Sequence, residues 1–341
     1  MLTANKFGSI YNYLPKGCKL CLKGAKMVLF ITGKCNLNCW YCPISEERKG
    51  KDLIYANERP VKNLKDVLKE AKEMNALGAS ITGGEPLLKL NRTIFYIKFL
   101  KRKFGKNFHI HLYTYGNLIN DKSLALLNKC GLDELRFHNF LPKKITIALN
   151  YNMNIGIEMP CIPWPNKEKY KAEVEKLKEI VDFCSENNIF LNLNEFEFSE
   201  TNWEKMKKFG FERIGYSYAV KNSRKLAMKI ANYAEKKKVK FNFCSVKTKF
   251  MLQLVERLKR RASIIKKPWQ KINRYGYLVY AEIECDKKFA KRFGLYYNKK
   301  LKVAETSIEK AKELRKKFKL NAWKVTIFPS YKPWVFEKVK L

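Results

Sequence analysis

Hydrophobic and polar positions follow two rhythms along the first two hundred residues. Short apolar runs read as buried strands at Met27–Thr32, Ala79–Thr82, Phe108–Thr114, Glu134–His138, Ile155–Met159 and Ile189–Phe198. Between them apolar residues recur at three- and four-residue spacing, which predicts helices over Asn63–Met74, Arg92–Phe104, Lys122–Asn128 and Lys167–Asn187. The segment 139–152 is too short for a long helix and reads as a turn with a short helix. Strands alternating with helices predict an α/β fold with a parallel, barrel-like sheet over 27–200. In such a sheet the working residues sit at the C-terminal ends of the strands.

The rhythm changes after Ser199. Residues 201–274 read as a helical region with 22 lysines and arginines against four acidic residues. Residues 275–341 read as a small α+β unit, with strands at Tyr275–Glu284, Ala322–Phe328 and Trp334–Val339 and a helix at Ser307–Phe318. Residues 1–26 form an N-terminal extension that carries a C-x2-C pair, Cys18 and Cys21.

Composition narrows the class. At 46% hydrophobic and 30% charged residues, the 341-residue chain is globular and not disordered. No apolar run reaches the length of a membrane span, and the first residues lack the apolar core of a signal peptide. The expectation is a cytoplasmic protein without membrane contact. Ten cysteines there point to metal or redox chemistry and not to a disulfide framework. With only His109, His111 and His138, a histidine-rich zinc site is not expected. The net charge of +38 points to a polyanionic partner, for which nucleic acid is the natural choice.

The chemistry concentrates between Phe30 and Pro43. Cys35, Cys39 and Cys42 stand at C-x3-C-x2-C spacing directly after the first strand. Thiolates are soft ligands suited to iron–sulfur clusters. Three of them can hold three irons of a [4Fe–4S] cube and leave the fourth open. A second motif, Gly83-Gly84-Glu85-Pro86, follows the second strand.

Together, in this order, the two motifs resemble the radical S-adenosylmethionine (radical SAM) superfamily, whose signature is C-x3-C-x-aromatic-C; Tyr41 holds the aromatic position. Over roughly residues 15–200 the chain looks most like archaeal proteins related to pyruvate formate-lyase activating enzymes. The resemblance implies a partial (β/α)6 barrel and a [4Fe–4S] cluster on Cys35, Cys39 and Cys42 whose open iron chelates S-adenosylmethionine. It also implies an electron donor such as ferredoxin or flavodoxin, and reductive cleavage to methionine and a 5′-deoxyadenosyl radical. By position, Gly83, Gly84, Glu85 and Pro86 would meet the methionine end and Tyr41 would pack near the adenine. Thr114 and Asn117 resemble a ribose-holding turn, displaced here by Tyr115. Arg136 and His138 would meet a carboxylate or the ribose, and Glu158 lies in the segment beside the adenine.

Two sets of residues stay open. Leu191, Leu193, Glu195 and Glu197 share one face of the sixth strand by its two-residue period. If that face points inward, Glu195 and Glu197 are candidate catalytic residues; if outward, they are plain acids. Cys18 and Cys21 hold a second metal, zinc or an auxiliary iron–sulfur cluster completed by Cys244 or Cys161, or else they pack as small buried residues. Cys130, Cys184 and Cys285 read as core filler.

The leading expectation is a radical SAM enzyme that modifies RNA, in particular tRNA. Arg257, Lys259, Arg260, Arg261, Lys266, Lys267, Lys271 and Arg274 would grip phosphates, and Trp269 would stack on a base. The alternatives are an activase that installs a glycyl radical in a protein and an enzyme for a small anionic metabolite.

Overall fold

The predicted strands form, and a seventh joins them. In the computed structural model, which describes residues 1–341, β1 (Lys26–Phe30), β2 (Gly78–Thr82), β3 (His109–Thr114), β4 (Glu134–Phe137), β5 (Asn154–Cys161), β6 (Phe190–Glu195) and β7 (Lys240–Cys244) pair in parallel and in chain order. The sheet does not close. Beyond β1 lies the antiparallel pair Tyr55–Ala56 and Arg59–Pro60; beyond β7 lie Ile10–Tyr11 and Thr3–Ala4. The result is a partial α/β barrel.

Helices fill the connections: α1 (Lys16–Leu22) precedes β1, and α2 (Leu64–Glu73), α3 (Leu90–Phe104), α4 (Asp121–Lys129), α5 (Pro142–Ala148), α6 (Lys167–Glu186) and α7 (Ser223–Lys236) cross between strands. Their starts are written in the sequence. Asn120 and Ser123 form a reciprocal capping box on α4, and Asn166 accepts the Lys169 N–H at the start of α6.

The sheet's two faces differ in chemistry. Leu29, Ile81, Leu112 and Leu135 lie in register on one face, and Ile157, Leu191 and Phe241 form a second row on it, all fully buried. The other face, which lines the barrel interior, carries Lys26, His109, His111, Tyr113, Glu134, Arg136, Glu158, Asn192, Asn194, Asn242 and Cys244. Helix α1 packs against the start of this polar face. A Cβ on Gly17 would stand 2.5 Å from His111 Nδ1 and 2.7 Å from Arg136 Nη2, so only glycine allows so close an approach.

Strand β7 lies inside the stretch expected to be basic and helical. Its Phe241 and Phe243 point to the apolar face, while Asn242 and Cys244 point to the lumen. Lysine-rich flanks mask this alternation in the sequence. The N-terminal extension also belongs to the barrel unit, since Ile10 and Tyr11 pair with Phe243 and Asn242.

Residues 69–75 and 255–341 form the second unit. It contains α8 (Val255–Ile265), β8 (Leu278–Glu284), α9 (Lys287–Arg292), β9 (Tyr296–Asn298), β10 (Val303–Thr306), α10 (Ile308–Phe318), β11 (Ala322–Phe328) and β12 (Trp334–Lys340). The strand order is β9-β10-β8-β11-β12, antiparallel throughout. Ala281, Ile283, Ala311, Leu314 and Ala322 form its core beneath Phe289, Phe293 and Phe318. The sequence reading missed α9, β9 and β10, which are short, and α9 is also lysine-rich. No helix of the chain is long and apolar enough to cross a membrane.

Candidate active site

Cys35, Cys39 and Cys42 line one cavity of about 390 Å³ at the C-terminal ends of the strands, together with Gly83, Gly84 and Pro86. Backbone bonds hold the cysteine loop onto the strand ends. Gly84 N–H donates to the Thr32 carbonyl (2.7 Å), Glu85 N–H to that of Lys34 (2.9 Å), and Gly33 N–H to that of Lys51 (2.8 Å). The approach is too close for side chains: a Cβ on Gly84 would lie 2.3 Å from the Lys34 carbonyl oxygen, and one on Gly33 would lie 1.6 Å from that of Arg48. Asp52 pins the return of the loop. It accepts from Thr32 Oγ1 (2.8 Å) and Arg92 Nη1 (2.6 Å), and pairs with Lys89 (3.1 Å).

Trp40 and Tyr41, between the second and third cysteines, plug the loop into an aromatic wall. Trp40 stacks on Phe211 with centroids 5.8 Å apart and meets Phe209, Trp164 and Phe196 edge-on or tilted. Ile162, Phe198, Met206 and Val220 complete this cluster. Two side chains from beyond β6 hold the loop's carbonyls: Thr201 Oγ1 donates to Cys42 (2.7 Å) and Asn202 Nδ2 to Tyr41 (3.1 Å). Sequence reasoning missed this wall because the segment after Ser199 reads by its lysines, not by its aromatics.

The other expected residues divide. Tyr41, Thr114, His138 and Glu158 line the cavity. Glu158 accepts from Asn194 Nδ2 (2.8 Å) and pairs with Arg136. Burial alone would raise its pKa, but Arg136 and the Asn194 hydrogen bond hold it below the usual carboxylate range. Burial keeps His138 neutral by lowering its pKa. Glu85 does not face the ligand space as expected. Its buried carboxylate is taken up by Leu87 N–H (2.9 Å), Thr114 Oγ1 (3.0 Å) and Tyr115 N–H (2.8 Å), so it clamps the end of β2 to the end of β3.

Arg136 and Asn117 also fall outside the cavity lining. Arg136 is buried and points down the lumen, where Glu134, Glu158 and Cys18 engage it. Asn117 is exposed beyond the turn, and Tyr115 lines the cavity in its place. The sixth strand turns Leu191, Leu193 and Glu195 outward and Asn192 and Asn194 inward. Glu195 accepts the Val246 N–H (2.7 Å) on the outer face, and Glu197 pairs with Lys249 (2.7 Å). Neither lines the cavity. Asn194 and Tyr113 do, and only the register of the strands could have shown it.

The expected RNA grip is largely tied down within the second unit. Arg261 is only 5% exposed and pairs with Glu70 (2.8 Å) and Glu73. Arg260 donates to the carbonyls of Met74 and Asn75. Lys259 pairs with Glu256, Lys267 with Glu305 and Lys271 with Glu309, each at 2.6–2.8 Å. Trp269 stacks on Tyr296 with centroids 5.1 Å apart, and Arg274 lies over Tyr275. Arg257 lies half-buried on α8, and Lys266 is exposed.

The donor set fits a thiophilic cluster: three cysteines with no carboxylate between them line the cavity, over a glycine turn that leaves ligand room. Cys18 and Cys21 lie elsewhere, on α1 under the lumen. Burial pushes the Cys18 thiol up to about 12 and the Cys21 thiol to about 11. Cys161 is buried away from them, its Sγ on the Ser223 carbonyl (3.5 Å).

Comparison with known proteins agrees with this geometry. The sequence model of the radical SAM superfamily matches residues 29–138. A protein of Methanocaldococcus jannaschii named "Putative glycyl-radical enzyme activating enzyme" is 40% identical over 284 residues, which cover 79% of this chain and 73% of that protein. A "Probable GTP 3',8-cyclase" of Methanococcus maripaludis is 28% identical over 49% of this chain and 57% of its own length. Among solved structures, Streptococcus suis SuiB bound to S-adenosylmethionine matches with a TM-score of 0.43 and 18% identity, over 65% of this chain and 50% of that one. The chain is an enzyme of the radical SAM superfamily, whose members use a [4Fe–4S] cluster and S-adenosylmethionine.

Proposed function

We propose that this enzyme binds S-adenosylmethionine between the cysteine loop and the Gly83–Gly84 turn and directs the resulting radical at a protein partner. The observation that carries the reading is the convergence of Cys35, Cys39, Cys42, Gly83 and Gly84 on one cavity, whose lining Tyr41 joins to the aromatic wall. Cys35, Cys39 and Cys42 would hold a [4Fe–4S] cluster, which, with an external electron donor, would supply the electron for reductive cleavage of the ligand's sulfonium. The protein's part is to hold and position. Gly83 and Gly84 give the ligand access to backbone. Glu158, kept ionised by Arg136 and Asn194, offers an acceptor to the ligand's ammonium or hydroxyl groups. Trp40 and its neighbours hold the cysteine loop in place from behind.

A protein substrate is supported by the name and 40% identity of the archaeal relative. It is also supported by apolar side chains displayed around the wall. Tyr216 is 99% exposed, and Ile214, Tyr218 and Phe250 are about half exposed. Exposed apolar groups of this kind, with Tyr218 and Phe250 in ring contact at 6.0 Å, suit a protein contact. A second reading, RNA as the substrate, is favoured by the net charge of +38.

Deuterium transfer separates the two. Reconstituted enzyme, S-adenosylmethionine and dithionite should give 5′-deoxyadenosine, and the Cys35→Ala/Cys39→Ala/Cys42→Ala variant should give none. With extract proteins carrying deuterated glycine, the 5′-deoxyadenosine should gain deuterium. Gain from deuterated RNA instead would replace the protein reading with the RNA reading. Product formation by the triple variant would overturn both.

A further inference from the structure

The second unit displays a run of aromatic rings where two hairpins meet. The first hairpin joins the short strand Lys271–Ile272 to β8. Asn273 closes its turn: its N–H donates to the Tyr277 carbonyl (2.9 Å), and its Oδ1 accepts from the N–H groups of Tyr275 (2.9 Å) and Tyr277 (3.0 Å). The second hairpin joins β11 to β12 through a loop with Pro329 and Pro333. The rings touch in series. Tyr275 meets Tyr277 (centroids 6.3 Å), Tyr277 meets Phe336 (5.0 Å), Phe336 meets Trp334 (5.9 Å), and Trp334 stacks on Phe328 (5.4 Å). A register shift between Thr326 and Ile327 leaves Phe336 as the extra residue of β12, and a bulge of this kind re-aims a side chain.

Although they touch, these rings stay open to solvent: Trp334 is 51% exposed, Phe336 54% and Tyr275 38%. Cations stand at both tips. The exposed Arg274 guanidinium lies 4.7 Å from the Tyr275 ring centre, and Lys332 Nζ lies 5.7 Å from that of Tyr331. No acid occurs from Arg257 to Ala281 or from Leu314 to Phe336, so neither turn carries a carboxylate. The next acids along β8 and β12 are paired, Glu282 with Lys338 (2.5 Å) and Glu337 with Lys324 (3.9 Å). Residues 255–341 as a whole hold 25 lysines and arginines against eight acids. That balance favours a polyanion on this face. Open rings interleaved with cations suit unpaired bases, because every base has a π-face and every phosphate a charge.

We propose that the two hairpins form a binding face for single-stranded RNA, with unpaired bases stacking on Tyr275, Trp334 and Phe336 and phosphates meeting Arg274 and Lys332. Stacking tolerates any base, so the face reads single-strandedness and not sequence. RNA is the nucleic acid that presents unstacked bases, in loops, bulges and ends. The rings are already held against one another and so lose little freedom on binding. Trp269, covered by Tyr296, takes no part. The contact stands whichever macromolecule receives the radical, and so goes beyond the reading above.

The test titrates the full-length protein with labelled oligo(U), oligo(dU), an RNA duplex of equal length and heparin, at several salt concentrations. Oligo(U) should bind more tightly than the duplex. Trp334→Ala and Tyr275→Ala should each weaken oligo(U) binding roughly 5–150-fold, the share of one stacked base. Heparin, which has no bases, should bind these variants as it binds the parent. Trp334→Phe, which keeps a ring, should restore most of the oligo(U) affinity. Arg274→Ser and Lys332→Ser should each lower the log–log salt slope for oligo(U) by roughly 0.7. Equal affinity for duplex and single strand, tighter binding of oligo(dU) than of oligo(U), or a fall in heparin binding that matches the fall for oligo(U) and is not rescued by Trp334→Phe would each overturn the proposal. Oligo(U) affinity indifferent to Trp334→Ala and Tyr275→Ala would overturn it too, and would leave the rings to a protein partner.

Discussion

Single side chains set the shape of the site through bonds to backbone more than through contacts with one another. Asp52 is the clearest case, because it ties the end of the cysteine loop to Thr32 at the end of β1 and to Arg92 on α3. The Arg92 hydrogen bond, with help from Thr32 and Lys89 and against a small burial penalty, holds its carboxyl well below the usual carboxylate range. A folded-state pKa below the unfolded value stabilises above about pH 4 and loses that contribution as pH falls. Asp52→Asn should therefore be less stable than the parent at neutral pH, and the gap should narrow progressively as pH falls below about 4. Urea melts at several pH values check this, and a gap that persists at low pH would assign the effect to packing. At this scale the sequence was legible where chemistry is written in residue type, as in the three cysteines and the glycine pair. It was not legible where one residue of register decides. Glu195 and Asn194 are neighbours on β6, yet one faces helices and the other faces the cavity.

Elements were legible by rhythm, and the misses follow from masking. β7 alternates Phe, Asn, Phe and Cys, but its lysine-rich neighbourhood reads as solvated helix. The wall beyond β6 was hidden in the same way, and it gives the cysteine loop its rigidity. Trp40 is the loop's anchor in that wall. Trp40→Ala should cost about 3 kcal/mol, the low end for a Trp truncation because the ring is half-buried. The loss should be local: amide exchange over residues 33–50 should quicken far more than exchange in β3. Hydrogen exchange read by mass spectrometry checks it, and uniform quickening would place the anchor elsewhere.

For the whole molecule, charge and sheet topology matter most. A net charge of +38 predicts binding to any polyanion that weakens steeply with salt. Lys266→Ser should lower the log–log salt slope for tRNA by at most about 0.9. Arg261→Ser should leave the slope alone and lower stability by about 3 kcal/mol, since it removes a buried guanidinium from Glu70 and Glu73. Filter binding and thermal melts measure the two; a slope that falls with Arg261→Ser would restore it as a phosphate contact. The sheet's far edge has a consequence in time. Ile10 and Tyr11 pair with residues 242 and 243, and Asn12 exchanges hydrogen bonds with Val239 and Phe241. On the ribosome the first strand to emerge must wait for the last barrel strand. At roughly 5–20 residues per second that wait lasts roughly 10–50 s. Throughout it, Cys18 and Cys21 on α1 stay open to solvent, while the lumen that will enclose them has yet to be made.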